Sequence, residues 1–221
     1  MMLVSDKRSA ETYEIRYART LKLAVLQLRS NWYIPLIIFI AVGFVFTIAS
    51  CGENGSNAEF DPESSLIAEI EISSVAFEDG GNVPIEYTCD GENISPPLRW
   101  SEVPIGTRSI AIIVDDPYSA GHIFRHWSVF NIPSVTRSLD ANQATTPDLK
   151  NSTRQALNDF GDTGYSGPCP PEGQEHEYVF FIYALSEPLE IEGNATPLDV
   201  SAALRGKVAG TGSFSGIYVR R

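Results

Sequence analysis

The sequence predicts a mainly β domain over residues 66–221: a strongly twisted, mainly antiparallel sheet or sandwich with one late helix. Three observations carry this. Five runs are either β-branched and continuous or alternate apolar with polar residues, Gly/Pro/Asn/Asp clusters separate them, and a single segment has helix-like punctuation. Ile67 to Phe77 (IAEIEISSVAF) opens with the two-residue period of a half-buried strand. Ser109 to Asp115 (SIAIIVD) is continuously apolar until its end, as a strand covered on both faces would be. Trp127 to Ile132 (WSVFNI) and Tyr178 to Leu185 (YVFFIYAL) follow the same rule, and Thr211 to Arg220 (TGSFSGIYVR) alternates as a closing strand. Turn chemistry lies between them at Glu78-Asp79-Gly80-Gly81-Asn82, Ser95-Pro96-Pro97 and Gly167-Pro168-Cys169-Pro170-Pro171. The helix is expected over Asp199 to Val208, with Asp199 as N-cap and Gly210 beyond its end. No internal repeat, heptad or Gly-rich phosphate loop interrupts this pattern, so one domain is expected.

The chain has 221 residues, 43% of them hydrophobic and 20% charged, which excludes a disordered chain and a multi-span membrane protein. Its net charge of −12 argues against nucleic-acid binding, which draws on clustered Lys and Arg. The charge is uneven. Residues 1–50 hold six basic and three acidic groups; of the 16 and 28 in the whole chain, ten and 25 therefore fall to residues 51–221, a net of −15 there.

That asymmetry follows an N-terminal organisation. Residues 1–32 form a basic cytoplasmic or n-region with Lys7, Arg8, Arg16, Arg19, Lys22 and Arg29, the flank retained on the inner side of a membrane. Residues 33–50 (YIPLIIFIAVGFVFTIAS) carry no charge and approach the span of a bilayer, as a signal or membrane anchor. Ile48-Ala49-Ser50-Cys51 resembles a bacterial lipobox, which makes Cys51 the candidate for lipidation. The polar, Gly-rich residues 51–65 then serve as a flexible tether. The thirty-odd residues before the apolar run are long for a signal peptide, so a retained single-span anchor is the competing expectation. Either way the domain is expected at the extracytoplasmic face of the cell envelope. Cys89 and Cys169 are then free to form a disulfide, the alternative being two half-buried thiols.

Polar residues carry most meaning where they interrupt apolar strands or crowd a stiff loop. Asp115-Asp116-Pro117-Tyr118 ends one strand, His126-Trp127 starts another, and Gly167 to Gly173 leads into His176-Glu177-Tyr178. With YTCDGENISPPLRW (from Tyr87), DDPYSAG (from Asp115), HWSVFNIP (from His126), NDFGDTGYSGPCPPEG (from Asn158) and HEYVFFIYAL (from His176), the chain resembles the phosphatidylethanolamine-binding protein family, in its bacterial Raf kinase inhibitor-like branch. The resemblance implies a large antiparallel sheet packed on a smaller sheet, with a few peripheral helices. It also implies a shallow pocket for a small anion such as a phospholipid headgroup phosphate. The matching positions here are Asp116, His126, Pro170, Pro171, His176 and Tyr178. No cofactor, metal or catalytic group is implied.

Two imidazoles and a phenol are expected to donate to phosphate oxygens, the proline pair to form a stiff wall, and Asp116 to orient a histidine or meet an ammonium group. Two positions depart from the family pattern: Tyr118 replaces an aspartate and Glu177 an arginine. The expected function is a non-catalytic, membrane-tethered module for phosphate-like anions or headgroups. An inhibitor of a protease or kinase is the alternative the family suggests. Asp115 and Asp116 are expected to include one solvated turn acid, and His122 is expected in a loop. Asn158, Asp159 and Tyr165 fit turn bonding as well as ligand contact. A zinc site through His122 and His126 is disfavoured, because residues four apart in a strand lie about 13 Å apart. A hydrolase is weaker still, since Gly164-Tyr165-Ser166-Gly167 falls one residue short of a nucleophile elbow.

Overall fold

The computed structural model describes residues 67–119 and 121–221. The basic segment, the apolar run, Cys51 and the tether lie outside the described residues. Among the described residues, ten strands form two sheets. In chain order they are β1 (Ala68–Glu69), β2 (Ile72–Ser74), β3 (Gly81–Asn82), β4 (Leu98–Trp100), β5 (Ser109–Asp116), β6 (Phe124–Pro133), β7 (Ser138–Leu139), β8 (Arg154–Gln155), β9 (Glu175–Leu185) and β10 (Val208–Val219). Among the described residues, one α-helix, α1 (Pro197–Ala203), and two short 3-10 turns, Ile85–Tyr87 and Lys150–Ser152, lie outside them.

The large sheet runs β1-β10-β9-β5-β6-β8, with β3 also against β10; the small one runs β2-β4-β7. The five strands from β10 to β8 are antiparallel throughout, as the sequence predicts. The short β1 and β3 join β10 in parallel, so the sheet is mixed at that side only. One apolar stripe joins both sheets: Ile72, Leu98 and Trp100 from the small sheet meet Ile110, Ile112, Val114, Trp127, Val129, Phe180, Ile182 and Phe214 from the large one. Ala111 and Ile113, on the opposite face of β5, are buried too. This is why that strand has no polar position between Ser109 and Asp115.

The segment Ile67–Phe77, expected as one strand, is divided between the two sheets. Ile70 donates its N–H to the Thr211 carbonyl beside β10, and two residues later Ile72 pairs with Trp100 in the small sheet. The crossing needs a bare backbone beneath it: a Cβ on Gly212 would lie 1.7 Å from the Ile70 carbonyl oxygen. The helix also departs from expectation. Thr196 is the N-cap and Asp199 closes a capping box from the third helical position, so helix α1 starts earlier. It ends at Leu204, and Gly210 is a buried member of β10 rather than a cap.

Candidate functional site

The site lies where the core stripe turns polar at one end of the large sheet. Side chains two apart share a face of a strand, so Asp116 continues the row Ile110, Ile112, Val114 of β5. His176 and Tyr178 continue the row Phe180, Ile182, Ala184 of β9. His126 reaches the same side through a β-bulge: Val114 pairs with Trp127 while Asp115 pairs with Arg125, which leaves His126 as the extra residue. Arg125 is thereby sent to the other face, where it holds Asp115 in a buried, two-pronged ion pair at 2.6 and 3.1 Å. Asp115 is therefore not a solvated turn acid, and neither is Asp116; both are buried. Burial pushes the Asp115 carboxyl up, against the pull of the Arg125 guanidinium.

Asp116 is spent on positioning. One carboxylate oxygen accepts from His176 Nδ1 at 2.7 Å, and the other accepts from the Tyr118 backbone N–H at 2.8 Å. His126 is positioned from the opposite wall, its Nδ1 donating to the Ser166 carbonyl at 2.7 Å. That carbonyl belongs to a loop knotted by Asn158. The amide of Asn158 donates to the Gly164 carbonyl and the Ser166 hydroxyl, and its oxygen accepts from the Phe160 and Asp162 backbones. Asn158 thus acts through turn bonding, as does Tyr165, whose hydroxyl is buried against the Tyr87 carbonyl at 2.8 Å. Asp159 accepts the Arg125 backbone N–H.

These elements enclose an open cavity of about 360 Å³. Asp116, His126, Pro170, Pro171 and His176 all line it, so five of the six ligand-site residues expected from the sequence converge there. Tyr178 does not line it. Its ring is fully buried behind the histidines, edge-on to His126 at 5.1 Å and stacked on His176 at 6.4 Å. The Tyr178 hydroxyl has no hydrogen-bond partner of good geometry, although the Cys169 backbone is near, and burial raises its pKa. Tyr178 is thus a backing for the two imidazoles rather than a donor at the surface.

The remaining wall is set by a disulfide, Cys89–Cys169, which ties the Pro170-Pro171 segment to the turn following Ile85–Tyr87. Phe124 and Phe160, 4.7 Å apart and edge-on, pack against His126. Neither ring stood out in the sequence, because an aromatic at a strand start or in a turn looks like ordinary core. Ser119 and Gln174 add neutral polar groups to the lining. The Ser166 carbonyl had no sequence signal, being backbone. The two departures from the family pattern meet each other: the Tyr118 hydroxyl donates to the Glu177 carboxylate at 3.3 Å. His122 is exposed and rests on Phe124 in a loop.

The chemistry is less rich in donors than the residue types imply. Among the described residues, no lysine or arginine lines the cavity. Burial pulls the His126 pKa below its ordinary value of 6.5, only partly opposed by the Ser166 carbonyl and the Asp116 and Asp115 charges. Burial thus favours the neutral ring, and with its Nδ1 proton committed to Ser166 the nitrogen left over is an acceptor.

Comparison with known proteins agrees with this architecture. The model of the family described as phosphatidylethanolamine-binding protein matches residues 73–219. A UPF0098 protein of Methanothermobacter thermautotrophicus is 43% identical over 151 residues, covering 68% of this chain and 99% of that protein. A Mycobacterium tuberculosis protein named as a candidate lipoprotein, LppC, is 31% identical over 191 residues, 80% of this chain and 92% of its own. Among solved structures, Escherichia coli YbcL, described as a new member of the mammalian PEBP family, superposes with a TM-score of 0.65. It is 32% identical, and the match covers 70% of this chain and all of YbcL.

Proposed function

The chain belongs to the phosphatidylethanolamine-binding protein family, and from that premise we propose that it is a non-catalytic receptor for phosphate-like anions or phospholipid headgroups. The observation that carries this reading is the convergence of Asp116, His126, Pro170, Pro171 and His176, from three strands and a loop, on one cavity. The bulge at His126 and the fixed Nδ1 of each ring hold two imidazoles ready in the apo protein, which lowers the ordering cost of binding. Few contacts and no fixed cation place the affinity in the micromolar to millimolar range. Phosphoethanolamine titrated into the full chain at pH 6 should release heat. A His126→Ala, His176→Ala double variant should release none, and equal heats from both proteins would remove the site.

We also propose that the domain is tethered at the extracytoplasmic face of the membrane. The uncharged run Tyr33–Ser50, its basic flank and the lipobox-like residues ending at Cys51 support this. So does the name of the mycobacterial relative, which describes a lipoprotein. Labelled palmitate fed to a bacterial host should enter the wild-type chain and not a Cys51→Ala variant; label in both would discard acylation at this cysteine.

A further inference from the structure

Hydrogen-bond polarity separates ligands of similar shape. A tetrahedral oxyanion with no proton, such as sulfate or a phosphodiester, offers acceptors only. A phosphate monoester, whose second ionisation lies near pH 6, can also offer an O–H. The cavity is unusual for an anion site in what it presents in return. Among its lining residues there is no Lys or Arg, one carboxylate is present, and both histidines have Nδ1 engaged elsewhere. The Ser166 carbonyl can only accept, so it fixes the proton of a neutral His126 on Nδ1. His176 Nδ1 is taken by Asp116 at 2.7 Å. The second nitrogen of a neutral His126 is then a lone pair facing the cavity.

We propose that this pocket takes its oxyanion together with a proton, which selects phosphate monoesters over sulfate and over phosphodiesters. The inference rests on the anion-receptor reading above and narrows its ligand class. A free monoester headgroup such as phosphoethanolamine fits, whereas the same group within an intact phospholipid is a diester. The proton lies between a phosphate oxygen and the free nitrogen of His126, as P–OH···N. The count is one proton per anion, taken from solvent wherever the free monoester is a dianion. Sulfate and phosphodiesters are too weakly basic to hold that proton, so their binding must place it on a buried ring instead.

The groups facing His126 do not relieve that requirement. Asp116 from β5 and His176 from β9 line the same cavity. Asp115 is paired with Arg125 on the far face, Tyr178 is an uncharged phenol, and Phe124 and Phe160 are apolar. The Ser166 and Gly167 backbone and the Asp116 and Asp115 charges favour a proton on the ring, and burial outweighs them.

The test is calorimetry on the full chain with phosphoethanolamine, glycerophosphoethanolamine and sulfate. Each is run at pH 6, 7 and 8 in two buffers of different ionisation enthalpy, which counts protons. The monoester should bind at least about ten-fold more tightly than either other ligand at pH 7, with close to one proton taken up at pH 8. Its affinity should fall about ten-fold from pH 7 to 8, the slope of one linked proton. His126→Gln, which offers an amide donor, should flatten that slope and bring the monoester-to-sulfate ratio towards one. Equal affinities for the three ligands without proton uptake would overturn the proposal and leave the anion receptor standing. Silence from all three at every pH would overturn the receptor reading, and this one with it.

Discussion

His126 and Arg125 are neighbours in β6 whose opposite fates are decided by one bulge. His126 is buried and its pKa is depressed, so the unfolded chain binds a proton more readily than the folded one below the ordinary value of 6.5. Its contribution to stability is complete above that value and is lost as pH falls through the folded pKa, by at most about 1.4 kcal/mol per pH unit. In the absence of ligand, urea midpoints of wild type should therefore drop between pH 6.5 and 5.5 more steeply than those of His126→Gln. Arg125 is held by Asp115, and the side-chain exposures of 7% and 3% leave no water to replace it. Arg125→Ala should cost about 3–5 kcal/mol in denaturant melts, because it leaves an unpaired buried carboxylate. A loss under 1 kcal/mol would mean that the pair is not desolvated as the geometry implies.

At the scale of elements, the crossing from β1 to β2 depends on Gly212. Gly212→Ala places a methyl against the Ile70 carbonyl and should destabilise by about 1–3 kcal/mol, read as a lowered urea midpoint with an unchanged slope. The sequence could not announce this crossing. Ile67–Phe77 alternates across a sheet switch, and alternation says which way side chains point without saying which sheet receives them. Strands β5, β6, β9 and β10 were legible because eight to twelve residues of patterning outweigh local noise. β3, β4, β7 and β8 have only two or three residues each and exist through their partners. The helix was found but misbounded and miscapped: it runs Pro197–Ala203, Val208 already belongs to β10, and Asp199 receives the N-cap backbone N–H from inside the first turn, with Thr196 as the other half of the box. The site was legible where polar side chains broke apolar runs, at Asp116, His126 and His176. It was not legible where backbone does the work, at the Ser166 carbonyl, nor where depth decides the role, as for Tyr178.

For the whole molecule, the Cys89–Cys169 bridge spans 80 residues and ties the segment carrying Pro170 and Pro171 to the turn after Ile85–Tyr87. Both cysteines replaced by serine should cost about 2–5 kcal/mol, measured by thermal melts at fixed pH. The cavity should suffer more than the strands, because Pro170 and Pro171 are carried on the bridged segment while β5, β9 and β10 hold one another by continuous pairing. Loss of phosphoethanolamine affinity without loss of far-UV signal is the expected pattern. An unchanged affinity would show that the Tyr165 to Tyr87 hydrogen bond and its neighbours position the wall unaided.

The bridge also ties the shape of the cavity to redox conditions. β5, β9 and β10 pair without it, whereas the segment carrying Pro170 and Pro171 is fastened by it. If the chain is exported as proposed above, the wall would be fastened only where thiols are oxidised.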